Sequence, residues 1–232
     1  MNLERRRLLA FPLAALPGAC AMSGNRPAGA AVTAPAQTQV RPAAVGQQWI
    51  YEVRNLYNGL VVDEVTETVA STGDTIRIER RSRSTGALPD EIHATWGMIE
   101  QDPHWSFPVR FVHPIPAWPA DFDLGHTVMV RGQYRTLSDP DSHYFWVGSM
   151  RSIDWETVQV PAGAFTALHY EDSIRFQSSD VTELESERQE FAWFCPQIGR
   201  WALRRNQGMF FVSGRGGDRY EDKQEWRLLA WR

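Results

Sequence analysis

One short stretch of the sequence contains the three residue types of a hydrolytic triad, in Asp139, Ser142 and His143. Triad members must converge in space around a strained nucleophile turn, which in one large class carries a G-x-S-x-G sequence. Here the three residues crowd into one local Asp-Pro-Asp turn, and the chain has no G-x-S-x-G. We therefore interpret the stretch as a hairpin turn and predict no catalytic residue in it.

A run of glutamates offers the paired carboxylates that glycoside hydrolysis uses. Its members are Glu183, Glu185, Glu187 and Glu190. Three of them recur at every second position, so a strand would place them on one face. That pattern is typical of a solvated surface, and we predict a strand over residues 182–189 although its charge content would also suit a helix.

The histidine and cysteine spacings do not form a recognised metal motif. We expect the histidines to be solvated or singly hydrogen-bonded, and Cys195 to be buried as a small apolar side chain within an aromatic run. The sequence therefore predicts no metal site, no cofactor and no enzymatic activity. The six histidines are His93, His104, His113, His126, His143 and His169.

The aromatic residues are the strongest candidates for binding. The chain has 10 tryptophans, and the proline-rich stretch from Pro103 to Pro119 concentrates large aromatic side chains. They either line the mouth of a cavity for a hydrophobic or amphipathic ligand, or fill the core of the domain. We take Trp96, Trp105, Phe107, Phe111 and Trp118 as candidate ligand-binding residues.

The amino terminus has the three parts of an export signal over residues 1–19, with Arg5, Arg6 and Arg7 before a short apolar run. That run is too short to span a bilayer. Leu16-Pro17-Gly18-Ala19-Cys20 resembles the bacterial lipobox, in which the cysteine is diacylated after cleavage. The resemblance implies lipidation of Cys20 and a membrane anchor. The alternative is ordinary cleavage near Ala21.

Two further features of the amino terminus concern the export route and the localisation of the protein. Arg5-Arg6-Arg7-Leu8-Leu9 resembles the twin-arginine export motif, and the alternative is a plain positive n-region. Ala21 follows the cysteine where enteric lipoproteins retained at the inner membrane have aspartate. The resemblance therefore favours a periplasmic protein anchored to the outer membrane.

Composition divides the remaining chain into two parts. Residues 20–45 are rich in Ala, Pro, Gly, Thr and Gln without aromatics, so we predict a lipidated cysteine followed by a flexible tether. Residues 46–232 form one predicted β-rich domain. The net charge is −4 without a basic cluster, which argues against nucleic-acid binding.

Within residues 46–232 apolar residues alternate with polar ones, as in Trp49, Tyr51 and Val53. Turn residues separate these runs, and helical periodicity is absent apart from a short stretch near 117–124. We therefore predict an all-β fold, either a strongly curved antiparallel sheet or a half-open barrel, with at most one short helix. Gly163 follows Pro161-Ala162 at a chain reversal, so we predict a positive φ there.

Three segments of this domain carry a family resemblance: Gly46 to Val53, Val158 to Ala167, and Trp193 to Arg200. They resemble a set of uncharacterised bacterial envelope proteins with G-x-x-W-x-Y, V-x-V-P-A-G-x-F-x-A and W-[YF]-x-P-x-x-G motifs. The resemblance implies a half-open antiparallel barrel similar to the Lol-type lipoprotein carriers. The motif residues set turns and fill the core, and they imply no active site.

Two functions are compatible with these features. The first is a non-enzymatic periplasmic lipoprotein that binds a hydrophobic or amphipathic ligand, or a partner protein, on an apolar concave face. The second is a structural accessory of an envelope assembly, with a filled barrel and an active outer surface. A cavity large enough for an acyl chain favours the first, and a plugged barrel with an exposed apolar patch favours the second.

Overall fold

The computed structural model of the chain describes residues 28–105, 107–180, 182–183, 185–212, 217–221 and 223–232. The predicted signal peptide and Cys20 lie outside these residues. Within the described ranges the secondary structure is almost entirely β-strand, and the strands form one antiparallel sheet. The predicted all-β fold class is confirmed.

The strands follow one another with short connections. In chain order they are β1 (Gly29–Ala31), β2 (Gln48–Asn55), β3 (Val61–Thr72), β4 (Ile76–Ser82), β5 (Gly86–Thr95), β6 (Met98–Asp102), β7 (Val109–Pro116), β8 (Thr127–Thr136), β9 (Asp139–Val160), β10 (Gly163–Gln177), β11 (Glu185–Cys195), β12 (Arg200–Phe210), β13 (Arg219–Tyr220) and β14 (Gln224–Trp231).

Twelve of these strands close into an up-and-down barrel. From β2 to β12 each strand pairs with the next, β12 pairs with β14, and β14 pairs with β2 to complete the ring. The sheet is thus a closed barrel and not a half-open one, since its first and last strands bond from Trp49↔Trp231 to Asn55↔Gln224. Closure satisfies backbone groups that an open edge would leave unpaired.

Irregular pairings allow the sheet to curve. The register shifts between Val53 and Arg54 in β2, and again within the β3–β4, β11–β12 and β9–β10 ladders. Such bulges bend a strand and increase its twist, which lets long strands such as β9 follow the barrel wall. Successive side chains of a strand point to opposite faces of the sheet, and β2 buries Trp49, Tyr51 and Val53 as predicted.

The chain from residue 28 to residue 45 lies against the barrel. β1 pairs with β9, with Gly29 opposite Val158. The Arg41 amide donates to the Pro196 carbonyl at 2.8 Å, and the Arg41 carbonyl accepts from Trp96 Nε1 at 2.9 Å. Within the predicted tether, which lacks aromatic side chains, backbone bonds thus attach β1 and Arg41 to the barrel. The domain boundary at residue 46 stays a prediction.

The short helix expected near 117–124 is not formed, and that stretch consists of turns and bends. In the described part of the chain, helical structure is confined to a 3-10 turn over Pro196–Ile198. Among the described residues, no helix is long and apolar enough to cross a membrane.

The β9–β10 hairpin confirms the predicted conformation of Gly163. Val160 pairs with Gly163 across Pro161-Ala162, and Gly163 has a φ of 129°. A Cβ atom at Gly163 would meet nothing within 4 Å, so the constraint is conformational and not steric crowding. Residues with side chains rarely adopt such a φ.

We expect Gly163→Val to destabilise the domain by about 1 kcal/mol or more, because valine must adopt a positive φ. For a domain of this size that corresponds to a fall in Tm of roughly 2–4 °C. Gly73→Val is the matched control, since Gly73 also has open space around it but lacks a positive φ. Equal melting temperatures for the two variants would show that the hairpin does not require glycine.

Candidate functional site

The barrel interior contains a buried guanidinium group at the start of β12. Arg200 bonds Glu91 through Nη1 and Nη2, at 2.6 Å each, and bonds Glu67 Oε2 through Nη2 at 2.6 Å and Nε at 3.1 Å. The three side chains are 3%, 1% and 0% exposed. Two carboxylates from β3 and β5 therefore clamp one cation from β12.

The segment before β12 positions this cation. Pro196 begins the 3-10 turn, and Gly199 ends it with a φ of 66°. The Ile198 carbonyl accepts from Trp49 Nε1 at 3.1 Å and from Gln47 Nε2 at 3.2 Å. The first and third family-like segments thus dock on each other, and Arg200 enters the barrel directly after the turn.

Further buried polar side chains complete the cluster around Glu67. His104 Nε2 lies 2.8 Å from Glu67 Oε1, and His104 Nδ1 lies 2.9 Å from Asp102 Oδ1. Arg80 Nε donates to Glu67 Oε1 at 3.0 Å, and His93 Nε2 lies 2.5 Å from Glu91 Oε1. Strands β3, β4, β5 and β12 are thereby joined through side chains inside the barrel.

A second ion-pair group adjoins the first. Glu190 accepts from Arg204 Nη2 at 2.6 Å and from Arg188 Nε at 2.7 Å. Arg188 also bonds Glu221 and donates from Nη2 to the His104 carbonyl at 3.1 Å. The interior therefore contains charges of both signs, and Arg188, Arg204 and Glu190 are paired with one another or with neighbouring groups.

The buried cations keep the neighbouring carboxyl groups ionised. Burial alone would raise the pKa of Glu67, but the charges of Arg200 and His104 outweigh burial and lower that pKa to about 2. Burial alone would raise the pKa of Glu91, but the charge of Arg200 outweighs burial and lowers that pKa. In the same way, a hydrogen bond from His104 lowers the pKa of Asp102 against the effect of burial. Carboxylates with such low pKa values are poor proton acceptors at neutral pH, so they serve as ion pairs and not as general bases.

Asp172 on β10 behaves in the opposite way. Its Oδ1 atom is buried and has no hydrogen-bond partner among the described residues. Burial, reinforced by the nearby charge of Glu190, raises the pKa of Asp172 to about 7. This carboxyl group faces a small interior cavity.

The interior cavity has a volume of only about 50 Å³. Asp172, Asp102, Arg200 and Arg204 supply its polar wall. A drug-sized ligand requires about 300–1,000 Å³. The barrel is thus filled by its own side chains, and the space that is left suits small polar molecules such as water.

A larger cavity of about 680 Å³ opens at one end of the barrel. Its aromatic wall is formed by Trp105, Phe107 and Phe210, and its polar wall includes Glu183 and Arg219, which form an ion pair. We call this cavity the mouth. It is amphipathic and accessible to solvent.

The structure divides the five predicted ligand-binding residues. Trp105 and Phe107 line the mouth, while Trp105, Phe111 and Trp118 line the small interior cavity. Phe111 and Trp118 are 3% and 8% exposed, and Trp118 stacks on Phe194 at 4.5 Å. Trp96 packs at 5.4 Å from Trp118 and borders neither cavity. Of the five residues, Trp105 and Phe107 border the mouth, and Trp105 is itself only 7% exposed. Ligand binding by these residues stays a prediction.

Other sequence-based expectations fare unequally. Burial of Cys195 is confirmed, and burial raises the pKa of its thiol. His93 is singly hydrogen-bonded, to Glu91. The expectation of solvated or singly bonded histidines is wrong for His104, which contacts two carboxylates, and for His169, which is buried without a hydrogen bond among the described residues. The predicted solvated face is wrong for Glu190, which is buried between two arginines, and for Glu183, which is buried beside Arg219. Period-two spacing could have placed Glu67 and Arg200 on inward faces of their strands. The sequence does not show, however, that these two side chains would pair with each other.

No protein-family model and no curated protein matches this chain. Similarity is found among solved structures. A candidate lipoprotein from Parabacteroides distasonis is 13% identical, with a TM-score of 0.52 over 84% of this chain and 99% of the other. A candidate exported protein with a YmcC-like fold, from Bacteroides fragilis, is 11% identical, with a TM-score of 0.52 over 84% of this chain and 100% of the other. At these identities the likeness shows a shared fold alone.

We expect Arg200→Met to destabilise the domain by about 3–5 kcal/mol, because it leaves Glu67 and Glu91 buried without their main cation. Urea unfolding followed by tryptophan fluorescence measures the loss. Arg83→Met is the control, since Arg83 forms an exposed pair with Glu64 at 3.6 Å and such pairs contribute about 0–1 kcal/mol. A loss in Arg200→Met no larger than in Arg83→Met would contradict the role of the cluster.

Asp172→Asn should change how stability depends on pH. The folded carboxyl has a pKa of about 7, above its ordinary value, so between about pH 4 and 7 the folded protein binds more protons than the unfolded chain. This group therefore makes stability fall as pH rises through that window. The Tm advantage of the variant over wild type should grow from pH 4 to pH 8. Asp141→Asn, at an exposed position of β9, is the control and should show no such trend. A constant difference for Asp172→Asn would refute the assignment.

Proposed function

We propose that the chain is a non-enzymatic lipoprotein of the bacterial envelope whose filled barrel presents a docking surface for a partner protein. The observation that carries this proposal is the combination of a filled interior with apolar side chains exposed at one end of the barrel. The interior leaves about 50 Å³ free, which argues against an acyl chain inside the barrel. Recognition then falls to the outer surface.

The β2–β3 hairpin supplies the exposed apolar side chains. Tyr57, Leu60, Val61 and Val62 are 62%, 63%, 50% and 49% exposed. We call these four residues the hairpin patch. Contiguous apolar residues on a soluble surface commonly mark an interaction site. Backbone and Asx bonds at Asn55 and Asn58 fix the turn, so the patch is presented in a defined shape.

A groove extends the hairpin patch around the outside of the barrel. It has a volume of about 720 Å³ and lies between Tyr57, Met209 and Tyr220. Tyr220 is 71% exposed and also lines the mouth. The hairpin patch, the groove and the mouth therefore form one continuous surface, and a partner that covers it would bury several large apolar side chains at once.

The anchor is the second part of the proposal. Cys20 lies outside the described residues, and its lipidation is supported by the lipobox resemblance. The protein from Parabacteroides distasonis that shares this fold is also described as a candidate lipoprotein. Resemblances in the amino-terminal sequence support export, by the general or the twin-arginine route, and anchoring to the outer membrane. The anchor would hold the docking surface in the periplasm.

A second candidate function is favoured by the mouth. Its volume of about 680 Å³ suits a small molecule, and Trp105 and Phe107 provide the apolar contacts that an amphipathic ligand needs. In this case the ligand would bind at the end of the barrel with its polar part near Arg219. An amphipathic probe that quenches tryptophan fluorescence would favour this candidate.

Cys20→Ser should release the protein from the membrane fraction while the barrel keeps its far-UV circular dichroism. The reason is that lipid anchoring depends on acyl chains carried by that thiol, and about 0.8 kcal/mol of binding comes from each buried CH₂. Cys195→Ser is the control, because Cys195 is buried in the core. Membrane association that survives Cys20→Ser would exclude lipidation as the anchor.

A photo-crosslinking amino acid at Tyr57 or Tyr220 should form a discrete crosslinked product with another envelope protein in living cells. The same substitution at Met129 is the matched control, since Met129 is 56% exposed on β8, away from the hairpin patch. We expect Tyr57→Ser with Val61→Ser to abolish the product at position 220. Equal products at all three positions, or none, would contradict the docking surface.

A further inference from the structure

A second group of buried titratable residues lies on the outer face of the β9–β10 hairpin. Asp154 and Glu156 lie on β9, and His169 lies on β10 opposite Asp154. Tyr170 lines the interior cavity, whereas Asp154, Glu156 and His169 do not. Glu156 and His169 are nevertheless 0% and 1% exposed.

One oxygen of Glu156 is fully engaged. Glu156 Oε2 accepts from the Ala28 and Gly29 amides at 2.8 Å each, and from Trp193 Nε1 at 3.0 Å. These donors fix the carboxylate and direct Oε1 toward His169. The His169 ring is fixed by stacking on Trp193 at 4.5 Å with an interplanar angle of 11°.

Buried polar atoms of all three residues lack hydrogen-bond partners. Glu156 Oε1, Asp154 Oδ1 and both ring nitrogens of His169 are buried and unbonded among the described residues. Native proteins satisfy the large majority of buried polar atoms. Glu156 Oε1, Asp154 Oδ1 and His169 Nδ1 lie close together, so these three atoms indicate a component that the chain itself does not supply.

Their spacing fits a metal ion. His169 Nδ1 lies 3.1 Å from Glu156 Oε1 and 3.6 Å from Asp154 Oδ1, and the candidate ligand atoms all lie within 4.8 Å of one another. A zinc ion binds nitrogen and oxygen ligands at about 2.0–2.2 Å, which places tetrahedral ligands about 3.3 Å apart. The side chain of Asp154 is 36% exposed, which gives an ion a route from solvent.

The chemistry of the side chains agrees with the spacing. An imidazole nitrogen and carboxylate oxygens are ligands that zinc and related transition metals bind.

We propose that Asp154, Glu156 and His169 form a binding site for a divalent transition-metal ion of the Zn²⁺ class. The imidazole ligand selects against Ca²⁺ and Mg²⁺, which prefer oxygen ligands alone. Because the carboxylate of Glu156 would bind both the ion and the Gly29 amide of β1, the site would link the segment before the barrel to the β9–β10 hairpin.

The interior supplies a contrast within the same protein. Glu67, Glu91 and His104 also lie within ligand distance of one another. There the position of a cation is held by Arg200, which bonds both carboxylates. The outer group has the same types of ligand without an arginine between them.

The test measures Zn²⁺ binding by the purified full-length protein after chelator treatment. We expect the wild type to take up about one Zn²⁺ per chain and to melt at a higher temperature with Zn²⁺ than without it. His169→Gln and the more conservative Asp154→Asn, at the partly exposed ligand, should each weaken Zn²⁺ binding at least tenfold. His143→Gln, at an exposed histidine, is the control and should bind as the wild type does.

Cobalt substitution adds a readout that a purely structural role of these residues would not change. A Co²⁺ complex of low coordination number should show visible absorption in the wild type and in His143→Gln, and lose it in Asp154→Asn. Failure of the wild type to bind Zn²⁺ would overturn the proposal. Unchanged uptake by both His169→Gln and Asp154→Asn would overturn it equally, and neither result bears on the docking surface.

Discussion

The requirement that Arg200 be paired inside the barrel constrains the rest of the structure. A guanidinium group in a low-dielectric interior is costly unless carboxylates and hydrogen bonds surround it. Glu67 and Glu91 provide them from positions 133 and 109 residues away in the chain. The register of β3, β5 and β12 must therefore bring all three inward at one level. Trp49, Trp201 and Tyr51 pack around the same group, so the aromatic core and the charged cluster specify one arrangement together.

Under the proposed function, a filled interior leaves the ends and the outer faces of the barrel as the surfaces for recognition. Up-and-down barrels that carry ligands keep a cavity in the centre, whereas here ion pairs and aromatic rings occupy that space. The mouth, the groove and the hairpin patch form a continuous surface outside the core. The outer carboxylate and histidine group lies elsewhere, under β1. A rigid charged core therefore suits a scaffold that holds surfaces in place.

The sequence predicted the type of fold better than the site. Alternation in Trp49, Tyr51 and Val53, together with the turn at Gly163, was sufficient for antiparallel strands. Closure of the barrel could not be predicted from the sequence, because it depends on the pairing of β14 with β2, which lie at opposite ends of the domain sequence. The charged interior was missed since alternation marks inward positions as apolar, and Glu67 or Arg200 alone resembles a surface residue. Residues 28–45 lack aromatic side chains, and this composition favoured a tether. Composition did not indicate the backbone bonds that attach β1 and Arg41 to the barrel.

The coupling between Arg200 and Glu91 tests the central claim most directly. A double-mutant cycle with Glu91→Gln, Arg200→Met and both together, measured by urea unfolding at neutral pH, isolates their interaction. We predict that the double variant is more stable than the sum of the single effects by about 1–3 kcal/mol, because removing one charge relieves the other. Additivity within about 0.5 kcal/mol would contradict the claim that paired charges inside the barrel fix its structure.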